Sequence, residues 1–217
     1  MGLKDRVNTY SHPVTPAVIS QPLIALCEEI APGSALPVYV DVRPLQGAPS
    51  KECFFLVEEH IRTNGGTSVI GWSLWELPTL FIEAEFHAVW QAPDGSLLDI
   101  APKPEPTQRI LFLADPSKEY QGRQVNNVRR PLRHDPAVVA FLDACDEEFE
   151  LMNRGERGGQ HGEIVLHGEE AAEYQRIQEK KAQCQFLMLP LYPQVGPYTP
   201  CWCGSGKKTK WCHGNSR

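Results

Sequence analysis

The sequence predicts an α+β fold: an antiparallel sheet with N-terminal helices, a helical connector and a small C-terminal knuckle. Three observations predict it. Between residues 67 and 114, the segments TSVIGW, TLFIEAEFHAVW, LLDI and RILFLA are rich in β-branched and aromatic residues and are separated by turn residues. Helical patterns stand on both sides of that region. Three of the seven cysteines fall in the last 17 residues, where a small ligand-held module is expected rather than a core.

In chain order, residues 15–31 read as a helix bent at Pro22, and residues 37–42 (PVYVDV) as a strand. Residues 50–63 read as a helix capped by Ser50 and closed by Asn64-Gly65-Gly66, a strong stop signal. The β region follows. Residues 135–152 form a helix with Asp135 as cap and Pro136 at its first position. The stretch 153–163 (NRGERGGQHGE) has the composition of a flexible linker. Residues 168–186 form a last amphipathic helix, and a Pro-rich connector, 190–200, leads to the tail. The expected organisation is a body over 1–152, a linker and helix over 153–198, and a module over 199–217.

The chain has 217 residues, enough for a sizeable core. Apolar residues make up 41% and charged residues 22%, the balance of a soluble globular protein. The first residues carry no apolar signal core, and Arg6 stands where a myristoylation signal needs Ser or Thr. No run approaches a membrane span. The expected compartment is the cytoplasm. Residues 198–217 carry +4 of a net charge of −6, which leaves −10 on the rest. An acidic body argues against broad nucleic-acid binding, while the basic tail suits an acidic protein partner. Seven cysteines without a secretion signal do not read as a disulfide framework.

The tail reads Cys201-Trp-Cys203-Gly-Ser-Gly-Lys-Lys-Thr-Lys-Trp-Cys212-His213. Zinc takes four thiolate or imidazole ligands in a tetrahedron. Two cysteines one residue apart, followed by Gly204-Ser205-Gly206, make a tight turn, and Cys212 and His213 close the site eight residues later. Three thiolates on one zinc leave a charge of −1, which Lys207, Lys208 and Lys210 offset. The alternative, free surface thiols, is disfavoured because such a cluster would oxidise readily. Four protein ligands leave no open position for chemistry, so the zinc is expected to be structural. The spacing C-x-C-x8-C-H with its interior GSGKK resembles the SEC-C motif over residues 199–217. The resemblance implies a zinc-binding docking module. That motif occurs at the C-terminus of the translocase motor ATPase, where it binds an export chaperone, and at the ends of many unrelated bacterial proteins. Trp202 stands where that motif often has a small residue.

One constellation in the body can carry chemistry: Cys53, His87 and Asp99. With Ser50 as cap, Cys53 is expected at the third position of its helix, where the dipole favours the thiolate. Pro93-Asp94-Gly95 suits a three-residue hairpin loop, which pairs Ala92 with Ser96 and Val89 with Asp99. His87 is then diagonal to Asp99 on one face, within side-chain reach. A two-residue loop would put the two on opposite faces. The order Cys, His, Asp resembles the transglutaminase-like and papain-like layout, which implies a role for Gln46 as an oxyanion-stabilising residue. The segments IEAEFHAVW and LLDI also resemble uncharacterised SEC-C-tailed bacterial and phage proteins. Plainer readings stand beside these: Cys53 as a small core residue, His87 as a hydrogen-bonded core histidine, and Asp99 as a strand-end cap. Glu83 and Glu85 read as a solvated strand face, or with His87 as a second metal site. Two functional classes follow: a thiol hydrolase or acyl transferase with a zinc tail, and a non-enzymatic adaptor whose body and tail bind proteins.

Overall fold

A computed structural model describes residues 10, 12–49, 52–160, 162 and 164–213. The β region forms strands β2 (Thr67–Leu77), β3 (Phe81–Gln91), β4 (Leu97–Asp99) and β5 (Arg109–Ala114), joined by β1 (Val38–Val42) and β6 (Val128–Pro131). β2 and β3 pair along their whole lengths, from Thr67 with Gln91 to Leu77 with Phe81. β2 also pairs with β5, β5 with β1, β1 with β4, and β4 with β3, so five strands close into a ring and β6 adds to β3. All these pairings are antiparallel except β1 with β4, which is parallel. The sheet is thus mixed rather than purely antiparallel. Closure also gives it an inner face, filled by Val40, Val89, Ile110 and Phe112.

Side chains alternate along a strand. On the outer face Trp72, Leu74, Ile82, Ala84, Leu111 and Leu113 pack against α1 (Gln21–Ile30) through Leu23 and Leu26. Pro22 stands in the first turn of α1, so it opens the helix instead of bending it. Residues 12–20 before it form no helix, and Val14 bridges to Glu76. The second helix, α2 (Cys53–Asn64), packs on the same outer face through Val57 against Ala88 and Ile100.

α3 (Pro136–Met152) begins as expected, with Asp135 accepting from the Ala137 N–H at 2.9 Å. It pairs with α4 (Gly168–Met188), and Val138, Leu142 and Met188 cover Leu77, Leu80 and Phe81 at the end of the β2–β3 hairpin. Between them, the stretch expected to be a flexible linker contains a 3-10 turn, Gly155–Gly159, with Gly158 buried. Paired contacts hold it: Arg154 to Glu173 at 2.8 and 2.6 Å, and Arg157 to Glu170 at 2.8 and 2.7 Å. Composition alone misses this because the fixing contacts come from α4. Among the described residues, no helix is long and apolar enough to cross a membrane.

Candidate functional sites

Two clusters of reactive side chains stand out. The first is the tail. Cys201 Sγ lies 3.0 Å from His213 Nδ1 and 3.5 Å from Cys203 Sγ, which is itself 3.5 Å from Cys212 Sγ. The four ligand atoms all lie within 4.8 Å of one another. A tetrahedral ion with bonds of roughly 2.3 Å to sulfur needs sulfurs roughly 3.8 Å apart, so the cluster fits one metal ion. Without metal, burial pushes the Cys201 thiol up to about 12, so ion binding must displace protons. The four predicted ligands are thus brought together.

The tail is joined to the body by several contacts. Its turn is laid against the start of β5. The Gln108 N–H donates to the Cys203 carbonyl at 2.7 Å, and Arg109 Nε donates to the Gly204 carbonyl at 2.5 Å. Gln108 Nε2 reaches Cys212 Sγ at 3.8 Å. Gly204 has φ +71, and a Cβ there would come 2.7 Å from the Arg109 carbonyl oxygen and 2.8 Å from Thr15 Oγ1. Only glycine permits this approach. Tyr10 OH donates to the Pro200 carbonyl, and Trp202 stacks on His213 at 4.7 Å while packing against the core near Leu77. Trp202 is therefore part of the attachment. Trp211 and Tyr198 stay open to solvent, 54% and 59% exposed.

The second cluster lies where β3 and β4 part. The Pro93-Asp94-Gly95 loop takes its expected form: the Ala92 N–H donates to the Ser96 carbonyl at 2.9 Å and Gly95 has φ +86. Trp90 pairs with Leu98, which sets the register anticipated from the loop. His87 Nε2 then meets Asp99 Oδ1 at 3.2 Å, with both side chains buried. Lys103 joins them from the segment after β4. Its Nζ lies 2.6 Å from Asp99 Oδ2 and 3.3 Å from His87 Nε2. Burial and the Lys103 ammonium push His87 down, but Asp99 and Cys53 outweigh them and the imidazole rises to about 10. Burial would raise Asp99, yet His87 and Lys103 pull it down to about 2.

Cys53 is the first residue of α2, with Glu52 as its cap position, rather than the third; Ser50 lies outside the described residues. α2 rides on the outer face, whereas His87 and Asp99 alternate to the inner one. Around the edge of β3, Cys53, His87 and Lys103 line one cavity of about 520 Å³, which Asp99 does not line. Among the described residues, no hydrogen bond joins Cys53 to His87. Gln46 is not brought in: it is exposed in a turn, and the cavity lacks it. The Leu45 N–H bonds to the Ile100 carbonyl and directs that turn outward. Glu83 and Glu85 do not form a solvated face. Glu83 is 16% exposed and held by Arg129 at 2.6 Å, and Glu85 accepts from Trp75 Nε1 at 2.9 Å. Among the described residues, the tail is the cluster whose donors can hold a metal ion. Lys103 was missed in the sequence, where it is one lysine among prolines.

The chain is 33% identical over 117 residues to protein translocase subunit SecA of Stenotrophomonas maltophilia (strain R551-3), covering 52% of this chain and 12% of that protein. It is 31% identical over 74 residues to protein translocase subunit SecA of Pseudomonas putida (strain F1), covering 33% and 8%. The chain thus spans about a tenth of the length of these relatives. The likeness, together with the cluster of three cysteines and one histidine, fits a SEC-C-type tail. The longer alignment exceeds the tail, so the likeness is not confined to it. No known family profile matches the chain, and no solved structure matches it.

Proposed function

We propose that the chain is a thiol-dependent hydrolase or acyl transferase whose tail holds a structural zinc ion. The observation that supports this reading is that Cys53 and His87 line one cavity, with Asp99 3.2 Å from the His87 ring. Cys53 is the nucleophile, His87 the proton carrier and Asp99 the residue that positions it. The Cys53 thiolate attacks the acyl carbonyl and forms an S–C bond. The bond to the leaving group breaks, and His87 gives that group its proton. Water then cleaves the thioester and restores the thiol. Three cysteines and a histidine in tetrahedral reach favour zinc, and with every position filled its part is structural.

The test is an electrophilic thiol probe on metal-loaded protein, read by peptide mass spectrometry. Cys53 should react at least tenfold faster than Cys27, whose thiol burial pushes up to about 11. His87→Ala should slow Cys53 about a hundredfold. Equal labelling of Cys53 and Cys27 rejects the enzyme.

A second reading, docking of an acidic protein surface on the tail, is favoured by one further observation. Lys210 lies over the exposed Tyr198 and Trp211 rings at 4.7 and 5.3 Å, and Lys208 at 5.6 and 5.5 Å. This is a basic, aromatic platform turned to solvent. A Glu-rich peptide should change Trp211 fluorescence, with affinity at least tenfold weaker for Lys208→Glu/Lys210→Glu. No change with the unmodified chain excludes the platform as an acidic-surface site.

A further inference from the structure

Two cations share one buried carboxylate beside Cys53. Asp99 is fully buried, and both its oxygens are engaged. Oδ1 faces His87 Nε2 at 3.2 Å and accepts the Ala101 N–H at 3.1 Å; Oδ2 accepts no hydrogen bond among the described residues and is held by its ion pair with Lys103 Nζ at 2.6 Å. The Lys103 side chain is only 9% exposed. If Asp99 served His87 alone, its whole charge would bind the ring proton. Lys103 takes part of that charge and adds its own repulsion at 3.3 Å.

We propose that Lys103 is the positioning residue of the thiol site: by sharing Asp99 with His87 it lets the imidazolium release its proton once Cys53 has been acylated. The functional meaning rests on the thiol reading, whereas the charge sharing does not. Acylation removes the electrostatic pull of Cys53 that helps to hold the proton on His87. The Lys103 repulsion remains, and the proton moves to the departing group. The other titratable and charged groups of the cavity are His12 before α1, Glu52 at the start of α2, Glu83 and Glu85 on β3, and Glu105, Tyr120 and Arg123 on the connectors. Arg129 holds Glu83, Trp75 holds Glu85, and the Gly155 carbonyl binds Arg123, so Lys103 is the cation in direct contact with the ring.

The experiment is an NMR titration of His87 in the metal-loaded full chain. In Cys53→Ser the midpoint should fall, since the Cys53 sulfur helps to raise it. Adding Lys103→Met should raise it again by at least one pH unit, a tenfold change in proton affinity. Lys103→Gln keeps a donor for Asp99 without the charge. It should do the same and serves as the measured variant if the Met chain does not fold. Lys103→Arg should restore the parent midpoint. A midpoint unmoved by loss of the Lys103 charge overturns the proposal. If the midpoint moves while Cys53 stays inert to the probe, the charge sharing stands and the thiol reading falls.

Discussion

Replacing Cys203 by Ser is expected to strip the metal and to lower the melting temperature of the whole chain by about 10 °C. Cys203 is 1% exposed, and its sulfur touches two other ligands. Without it the turn 201–206 loses the ion that shapes it, because a knuckle of this size has almost no core. The loss then spreads to the body. The Gln108–Cys203 and Arg109–Gly204 hydrogen bonds and the packing of Trp202 all depend on that turn. Together they are worth about 3–5 kcal/mol, and a chain of this size loses roughly 2–4 °C per kcal/mol. Metal analysis should drop from near-equimolar zinc to none, and a chelator should shift the unmodified chain by the same amount. A melting temperature within about 2 °C of the parent, less than a single kcal/mol would give, would show that the tail is an appendage after all.

The second large effect is expected at Gly71. It pairs with Ala114 of β5 and with His87 of β3, at the middle of the closed ring. A Cβ there would stand 2.0 Å from the Leu113 carbonyl oxygen and 2.9 Å from both Ala114 Cα and the Phe112 ring. Two of these three are backbone atoms, so no rotamer change relieves the clash. Gly71→Ala should cost about 3 kcal/mol or more, the upper end of overpacking. Gly196→Ala is the control, since its nearest neighbour would be a methyl carbon 3.9 Å away. Equal denaturation midpoints for the two variants would rule out the β2–β5 pairing.

Local chemistry made part of this legible in the sequence. Pro93-Asp94-Gly95 specifies its own loop length, and loop length sets register, so His87 and Asp99 could be paired in advance. The four tail ligands were equally readable because their spacing is short. What could not be read depends on distant parts of the chain. Nothing local says that β2 will meet both β3 and β5, or that β1 will lie parallel to β4. β6 is four residues with two arginines and carries little strand signal. Lys103 folds inward because Asp99 waits there, and Gln46 turns outward because β1 continues alongside β4. The docking of the tail hangs on one absent Cβ, at Gly204, whose purpose shows only when Thr15 and Arg109 are beside it.

The attachment of the tail also bears on time. It ties Tyr10 to Pro200 across 190 positions and Arg109 to Gly204 across 95. Contacts between such remote points cost the most loop-closure entropy, so they are expected to form late in folding. Interactions absent from the transition state leave the folding rate alone and slow the reverse reaction. The bound ion would then have little influence on how quickly the native chain forms. Its influence is on how long that chain persists, and in Cys203→Ser the loss should appear almost entirely in the unfolding limb.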